Sequence, residues 1–269
     1  MSVHIRPLQL RDIINILPLV PEEWHFNSTE FFHAHYLNPY FYSLLLCDNH
    51  DIIGHGNVVI NGGTAWIGNI LVHSEHRKKG YGTMITDQLI EYAGKKGATA
   101  FMLIATELGR PVYEKIGFQV TSSYVFFSRD HDSKQHIASS VRRLEETDHI
   151  QLASLDTHVT GEDRDQFLRQ FIPSAYCINV RDHLEGVYYR TLGNGQILAR
   201  SALAGLSLLS LKIMEGAESL VIPEENALAC EFVKNNGFVE TKRAPRMHLG
   251  EPRPWHPECV FNRGAGYCG

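Results

Sequence analysis

A short basic turn beside two glycines is the strongest chemical signal in the chain. Residues 77–82, with the sequence RKKGYG, follow an apolar run at 67–72 and precede a segment whose apolar residues have helical spacing. The first amides of a helix lack partners within it and lie at the positive end of its dipole, so they stabilise a phosphate. Gly80 and Gly82 would let an anion approach the backbone closely. The turn therefore predicts an anion site rimmed by cationic side chains.

Spacing distinguishes this turn from two other phosphate-binding loops. A Walker loop requires G-x-x-x-x-G-K-[ST], which is absent. A dinucleotide fingerprint requires a small residue where this chain has Ile85, and an acidic residue ending the next strand, which is predicted at 99–106 and contains no carboxylate. A surface turn with solvated lysines remains open while this hexapeptide is considered alone.

A second motif, YEKIGF, occupies residues 113–118. Pro111 can stand in the first turn of a short helix, and Gly117 can end it. The unperturbed pKa of a tyrosine is about 10, so the Tyr113 hydroxyl is protonated at neutral pH and can donate a proton. The alternative is a structural tyrosine that packs under Phe118.

The two motifs together resemble the R/Q-x-x-G-x-G/A and Y-x-K-x-G-F signatures of the GNAT superfamily of N-acetyltransferases. The resemblance implies that the loop holds the pyrophosphate of acetyl-coenzyme A (acetyl-CoA), and that Tyr113 is the general acid for a departing thiolate. It also implies that a bulge splays the fourth strand from the fifth and that the pantetheine arm enters the gap. The implied coenzyme-binding residues are Ile70, Leu71, Val72, Arg77, Lys78, Lys79, Gly80, Tyr81, Gly82 and Thr83.

The elements that must position these residues are predicted as an α/β arrangement with a mixed, mostly antiparallel, twisted sheet and flanking helices. Ser28 can cap a helix, and the turn at 48–51 has the aspartate and asparagine that suit a hairpin. The predicted elements of the first half are a strand at 3–8, helices at 11–20 and 28–37, a hairpin of strands 42–47 and 52–60, the fourth strand at 64–72, a helix at 82–93 and the fifth strand at 99–106.

Length and composition indicate a protein larger than one such domain. The chain has 269 residues with 43% apolar content, which suffices for two cores. The net charge of −5 leaves no electrostatic footprint for nucleic acid. No run resembles a membrane span or a signal peptide, and the five cysteines are scattered, so we expect a cytoplasmic protein with reduced thiols and no membrane partner. Both a monomer and a homodimer remain open.

The 15 histidines raise the question of a metal site. The closest pairs are His33 with His35 and His73 with His76. No cysteine or carboxylate pattern completes a zinc set around them, and HExxH is absent. We expect no metal.

A faint internal repeat indicates duplication. Two motifs return in the same order: I-R-P-L with Asp12 at 5–12 returns as V-R-R-L with Asp148 at 141–148, and Gly117-Phe118 returns as Gly237-Phe238. The predicted division is therefore an acetyltransferase domain at 1–130, a polar linker at 131–140 and a second GNAT-like domain at 141–269.

The second copy lacks the residues that carry the chemistry of the first. Superposing the copies places Arg200 and Ala202 at the two glycine positions and Val233 at the tyrosine position. Side chains there would block an anion, and valine cannot donate a proton. The pattern is similar to tandem GNAT proteins with a degenerate second domain, as are motifs at 161–164, 186–190 and 223–226.

The predicted reaction is direct transfer of acetyl from acetyl-CoA to a primary amine of a small-molecule or peptide acceptor. Trp24 and His25, in the loop 24–27 between the first two helices, and Glu107 are the candidate substrate residues. An amine with a pKa of about 10 must lose a proton before attack. Many relatives carry a carboxylate on the fourth strand, where this chain has Gly68 and Asn69.

Several alternatives stay open at this stage. Glu23, His25 or Glu107 could act as the base. The second domain could close over the substrate mouth, in which case Tyr188 and Arg190 are candidate contacts, or it could dimerise or stabilise the first. The acceptor could be an amine, an amino acid, an aminoglycoside or a protein. The whole protein could also be a coenzyme A sensor without transfer activity or, less favoured, a nucleotide-binding oxidoreductase.

Overall fold

The computed structural model describes residues 3–21, 28–131 and 141–269 of the chain. These residues divide into two compact units. The first contains the described residues up to Gln119 together with His248–Glu251, and the second contains Val120–Met247 and Pro252–Gly269. Residues 120–130 were predicted in the first domain but belong to the second unit, and 248–251 return to the first. The predicted domain boundaries stay a prediction, and most of the predicted linker, residues 132–140, lies outside the described residues.

The first unit is built around strands with helices packed on them. Its elements are β1 (Val3–Pro7), α1 (Ile13–Ile16), α2 (Ser28–His35), β2 (Phe41–Asp48), β3 (Asp51–Asn61), β4 (Thr64–Val72), α3 (Tyr81–Lys95), β5 (Ala100–Ile104) and α4 (Arg110–Ile116). The predicted α/β class is confirmed. The helix expected at 11–20 is broken into 3₁₀ turns around α1, because Pro18 lacks an amide hydrogen and disfavours the helical conformation of the residue before it. The predicted cap on Ser28 concerns a side chain outside the described set.

The sheet of the first unit runs in the order β1-β2-β3-β4-β5. All pairs are antiparallel except β4 with β5, which is parallel. Asn49, in the turn between β2 and β3, has φ of +54°, as the predicted hairpin requires. Gly54 and Gly56 let α3 lie directly on β3, since a Cβ on Gly56 would come within 2.5 Å of Ile85. The predicted apolar face of α3 is confirmed by the complete burial of Ile85, Leu89 and Ala93.

The second unit contains two groups of strands. Its elements are β6 (Gln119–Arg129), β7 (Arg142–Arg143), α5 (His149–Thr160), α6 (Asp165–Leu168), β8 (Tyr176–Val180), β9 (His183–Tyr189), β10 (Gln196–Ala199), α7 (Ala202–Met214), β11 (Ser219–Pro223), α8 (Ala227–Asn235), β12 (Phe238–Gly250) and β13 (Val260–Asn262). Gln119 at the start of β6 and residues 248–250 at the end of β12 belong to the first unit. One group runs β12-β6-β11, and the other runs β13-β10-β9-β8-β7.

The repeated motif corresponds to a repeated ion pair. Both terminal guanidinium nitrogens of Arg6 donate to the carboxylate of Asp12, at 2.6 and 2.9 Å. Asp12 also accepts from the amide of Gln9. In the second unit Arg142 donates to Asp148 at 2.7 and 2.6 Å, and Asp148 accepts from an amide three residues earlier. Each arginine thus ties the strand that carries it, β1 or β7, to the helical turn that follows.

Candidate active site

The central feature of the site is a gap between β4 and β5. The parallel pairing of the two strands extends only from Thr64 with Ala100 to Trp66 with Met102. Beyond Trp66, β4 continues for six residues along β3, and no described strand pairs with its other edge. The predicted splay is therefore confirmed.

A bulge in β4 lies at the start of this gap. The register between β3 and β4 shifts between His55 and Asn57, so that Asn69 and Ile70 lie opposite one residue of β3. Asn69 has φ of +52°, a left-handed conformation that is uncommon outside glycine. The bulge bends the strand away from β5 and redirects the Asn69 side chain.

The N-terminus of α3 has the backbone conformation that an amide nest needs. Gly80 is the N-cap with φ of +82°, and Lys78 has φ of +61°. The amides of residues 81–83 precede the first intrahelical bond, and none of them donates to a described residue. A Cβ on Gly80 would meet nothing within 4 Å, so conformation and not crowding requires glycine there. Gly82 differs, because its φ is ordinary and a Cβ would meet only Val112, at 3.7 Å.

The basic residues of the turn are exposed. The Nε of Arg77 donates to the carbonyl of Val72 at 3.1 Å, which ties the turn to the end of β4. Neither Lys78 nor Lys79 forms an ion pair with any carboxylate in the described part of the chain. Their positive charges are therefore available to an anion at the start of α3.

Tyr113 lies on α4, beside the first turn of α3. Its neighbour Val112 is the residue that a Cβ on Gly82 would touch. Pro111 stands in the first turn of α4, and Gly117 ends the helix with φ of +113°, both as predicted. The ring is 8% exposed and packs edge-on against Phe118, with ring centroids 6.0 Å apart.

The Tyr113 hydroxyl is kept protonated by its surroundings. Burial raises the pKa of Tyr113 well above its usual value. The hydroxyl makes no hydrogen bond with another described residue. Gly109 provides the space for the ring, since a Cβ there would come within 2.9 Å of Tyr113 Cε2. The ring therefore packs on Phe118, while the proton-donor role of the hydroxyl stays a prediction.

Glu107 is the predicted substrate residue that lies within the described part of the chain. Glu107 is exposed in the connection between β5 and α4 and makes no hydrogen bond or ion pair with a described residue. Glu23, Trp24 and His25, with the rest of the loop 24–27, lie outside the described residues.

The match to a known family covers the gap, the turn and the tyrosine. Residues 9–118 match the model of the Acetyltransferase (GNAT) family. These residues form a GNAT acetyltransferase domain. Both sequence motifs of this acetyltransferase domain fall within the matched span.

Relatives extend the similarity to nearly the whole chain. The uncharacterized N-acetyltransferase YitH of Bacillus subtilis (strain 168) is 26% identical over 218 residues, which is 76% of each protein. A crystal structure of a Pyrococcus horikoshii protein assigned as an acetyltransferase is similar with a TM-score of 0.83 and 21% identity, covering 99% of this chain and 96% of that one. A tandem GNAT protein from the clavulanic acid biosynthesis pathway has a TM-score of 0.64 and 14% identity, covering 93% and 99%. The chain therefore shares the fold of tandem GNAT proteins.

A polar network beneath the bulge of the acetyltransferase domain was not predicted. His55 is fully buried, its Nδ1 lies 3.0 Å from the carbonyl of Asn69, and its Nε2 lies 2.8 Å from the hydroxyl of Ser43. A carbonyl only accepts, so Nδ1 carries the proton and Ser43 donates to Nε2. Burial lowers the pKa of His55 to about 4, which keeps the ring neutral.

The network continues to Asn57, which is also fully buried. The Nδ2 of Asn69 donates to Oδ1 of Asn57 at 2.7 Å. The Nδ2 of Asn57 has no hydrogen-bond partner among the described residues, at a typical cost of about 1–3 kcal/mol. The signal in the sequence was the alternation of Gly54, His55, Gly56 and Asn57, because period two places both polar residues on one face of the strand.

The second unit has other side chains where the acetyltransferase domain has its motif residues. α7 begins at Ala202 after Ser201, whose backbone is extended and not left-handed. Val233 is fully buried in the core of the unit. Tyr188 donates to Glu215, and Arg190 pairs with the same carboxylate. Both candidate acceptor contacts thus have a partner within their own unit.

The later motifs of the second unit have structural roles. Arg164 is buried, pairs with Asp156 and donates to the carbonyl of Cys268 and to Gln196. Gly161 ends α5 with φ of +70°.

Asn226 caps α8, and its Nδ2 donates to the carbonyl of Val260. The motifs at 161–164 and 223–226 therefore stabilise the local structure of the second unit.

Three further observations concern the described residues only. No three histidine, cysteine, aspartate or glutamate side chains among them gather in a group that could hold a metal ion. No helix among them combines the length and the apolarity of a membrane span. All five cysteines are free thiols.

Proposed function

We propose that the acetyltransferase domain transfers acetyl from acetyl-CoA directly to a primary amine. The proposal rests on three features that occur together: a left-handed glycine at the N-terminus of α3, an edge of β4 with which no described strand pairs, and a protonated tyrosine on α4 beside the first turn of α3. Each feature alone is common, whereas their combination provides a pyrophosphate site, a channel for an extended arm and an acid. The family match at 9–118 supports the same reaction class.

The chain's own groups fit the coenzyme at the turn. The amides of residues 81–83 and the left-handed Gly80 form a concave donor surface, and Lys78 and Lys79 add charge without a competing carboxylate. Ile70 and Val72 lie on the free edge of β4, where backbone groups can pair with an amide-containing arm. Arg77 donates a hydrogen bond to the carbonyl of Val72, so it stabilises the conformation of the turn as well as adding positive charge. The bound coenzyme would supply an acetyl thioester.

As the C–N bond forms and the C–S bond breaks, Tyr113 would donate its phenolic proton to the departing coenzyme sulfur. The amide nitrogen would lose one proton to water, and a proton from water would restore the phenol. The raised pKa suits this role, because an acid must keep its proton until the thiolate leaves. Most of the rate gain would come from holding the amine and thioester in line.

Substituting Tyr113 by phenylalanine tests the proposal. We expect thiol release from acetyl-CoA, in the presence of primary amines, to fall at least about a hundredfold in Tyr113→Phe with coenzyme affinity unchanged. Tyr92→Phe is the matched control, because Tyr92 stacks on Tyr42 in the same unit at 3.6 Å and a phenyl ring preserves the stack. Equal activity of the two variants would exclude the acid role.

A coenzyme A sensor without transfer is the second candidate. It is favoured by Gly68 and Asn69, which leave β4 without a carboxylate at the gap. A wild-type protein that binds acetyl-CoA but releases no thiol with any amine of a broad panel would favour this candidate over the enzyme.

A further inference from the structure

Asn69 is held in one orientation by hydrogen bonds to both its main chain and its side chain. Its main-chain carbonyl accepts from His55 Nδ1, and its side-chain Nδ2 donates to Asn57 Oδ1. Asn57 is fully buried and belongs to the middle of β3, so it provides a fixed anchor. With Nδ2 engaged, Oδ1 is the polar atom of Asn69 that remains, and no described residue donates to it.

The network lies on the face of the sheet opposite α3. His55 contacts Phe32 of α2 with ring centroids 5.1 Å apart, whereas Gly56, its neighbour along β3, faces Ile85 of α3. Asn69 is half-buried at the bulge, beside the edge that β5 leaves unpaired. A coenzyme held at the start of α3 therefore approaches the gap from one face, and Asn69 stands on the other.

The network is neutral throughout. Asparagine and serine side chains do not titrate in the working range, and burial keeps His55 neutral. A carboxamide oxygen can orient an amine by accepting one N–H, but it cannot take up a proton at neutral pH. The amine must therefore arrive already deprotonated, or lose its proton to water.

From these contacts we infer that Asn69 Oδ1 binds an N–H of the acceptor amine, that Asn57 is the positioning residue for it, and that the acceptor is a weakly basic amine such as an α-amino group. The inference rests on the proposed function and names its substrate class. At about pH 7.5 roughly a third of α-amino groups are neutral, against about 0.1% of lysine side chains. We expect the α-amine to be favoured by about three hundredfold.

Two isomers of acetylated lysine methylamide provide the test. The Nε-acetyl isomer presents only an α-amine, and the Nα-acetyl isomer presents only a side-chain amine. We expect kcat/KM at about pH 7.5 to favour the former by about three hundredfold, with an apparent pKa that follows that of each free amine. Equal kcat/KM values for the isomers, or a profile set by an enzyme group, would overturn the substrate class.

Variants at the two asparagines test the assigned roles. Asn69→Gly removes the carboxamide and accommodates φ of +52° without strain, so it should fold, bind acetyl-CoA as before and lose at least tenfold in kcat/KM for the α-amine. Asn57→Leu removes the buried unpaired amide, so it should be no less stable, yet raise KM for the amine with coenzyme affinity unchanged. Asn69→Asp should reduce the preference between isomers, because a carboxylate binds an ammonium.

A binding measurement separates failure of this inference from failure of the proposed reaction. If neither isomer is acetylated, calorimetric titration of the Nε-acetyl isomer into the protein saturated with coenzyme A still reports on the amine site. Binding that Asn69→Gly weakens at least tenfold would support the assignment without transfer. Binding that Asn69→Gly leaves intact, or no binding of the isomer to wild type, would overturn it.

Discussion

Replacing Gly82 by leucine should strengthen the fold while weakening coenzyme binding. Gly82 lies in the first turn of α3 with an ordinary φ, and a Cβ there would touch only Val112, at 3.7 and 4.0 Å. Glycine costs a helix about 0.5–1 kcal/mol relative to alanine, and leucine is nearly as favourable as alanine. The free energy of unfolding should therefore rise by about 0.5 kcal/mol, which raises Tm by roughly 1–2 °C.

The expected loss of affinity follows from the amides at 81–83. A leucine side chain would separate a phosphate from at least one of these donors, and a hydrogen bond to a charged group is worth about 1.5–3 kcal/mol. The dissociation constant of acetyl-CoA should rise by a factor of about 10–150. Calorimetry gives the affinity, and thermal unfolding of the free protein gives Tm. Gly82→Ala is the matched control, with the same gain in Tm and a smaller loss of affinity.

The opposite signs of the two effects make this test strict. A general disruption of the fold would lower both Tm and the affinity for acetyl-CoA. An affinity within threefold of wild type in Gly82→Leu, alongside the higher Tm, would refute the placement of the phosphate at the start of α3.

Two further predictions concern stability. The Arg6 guanidinium holds the pKa of Asp12 below its ordinary value of 3.8, so the ion pair's contribution to stability is complete above that value and is lost as pH falls through the lower folded pKa. Asp12→Asn should remove that part of the acid dependence in urea titrations and cost about 1 kcal/mol at neutral pH. An unchanged dependence of stability on pH would contradict this. Arg164→Met should cost about 3–5 kcal/mol because Asp156 stays buried without its partner, whereas Arg169→Met, at an exposed pair, should cost under about 0.5 kcal/mol; similar Tm values for both would argue against the buried ion pair.

Elements with local signals could be predicted from the sequence. β4 has the predicted bounds of 64–72, and the hairpin turn, the Pro111 start and the Gly117 end of α4 were all recognisable from residue type. These features depend on φ preferences and apolar periodicity within a few residues. The left-handed conformation of Gly80 is compatible with its residue type, because glycine adopts positive φ readily.

Features that depend on long-range pairing could not be predicted in this way. The assignment of residues 248–251 to the first unit joins segments far apart in sequence, and no local pattern encodes it. The hydrogen bond of Asn69 to Asn57 depends on a one-residue bulge, which moves a side chain to the other face of a strand. Pro18 was a local signal against a continuous helix at 11–20, but the prediction gave more weight to the apolar periodicity of that segment.

The central claim is that acetyl-CoA binds at the start of α3 and at no equivalent place in the second unit. Titration calorimetry of the wild-type protein with acetyl-CoA tests it directly. We predict saturable binding with a stoichiometry of one per chain. Two sites per chain would show that the second unit keeps a coenzyme site despite Ser201 and Ala202, and the absence of binding would contradict the proposed function itself.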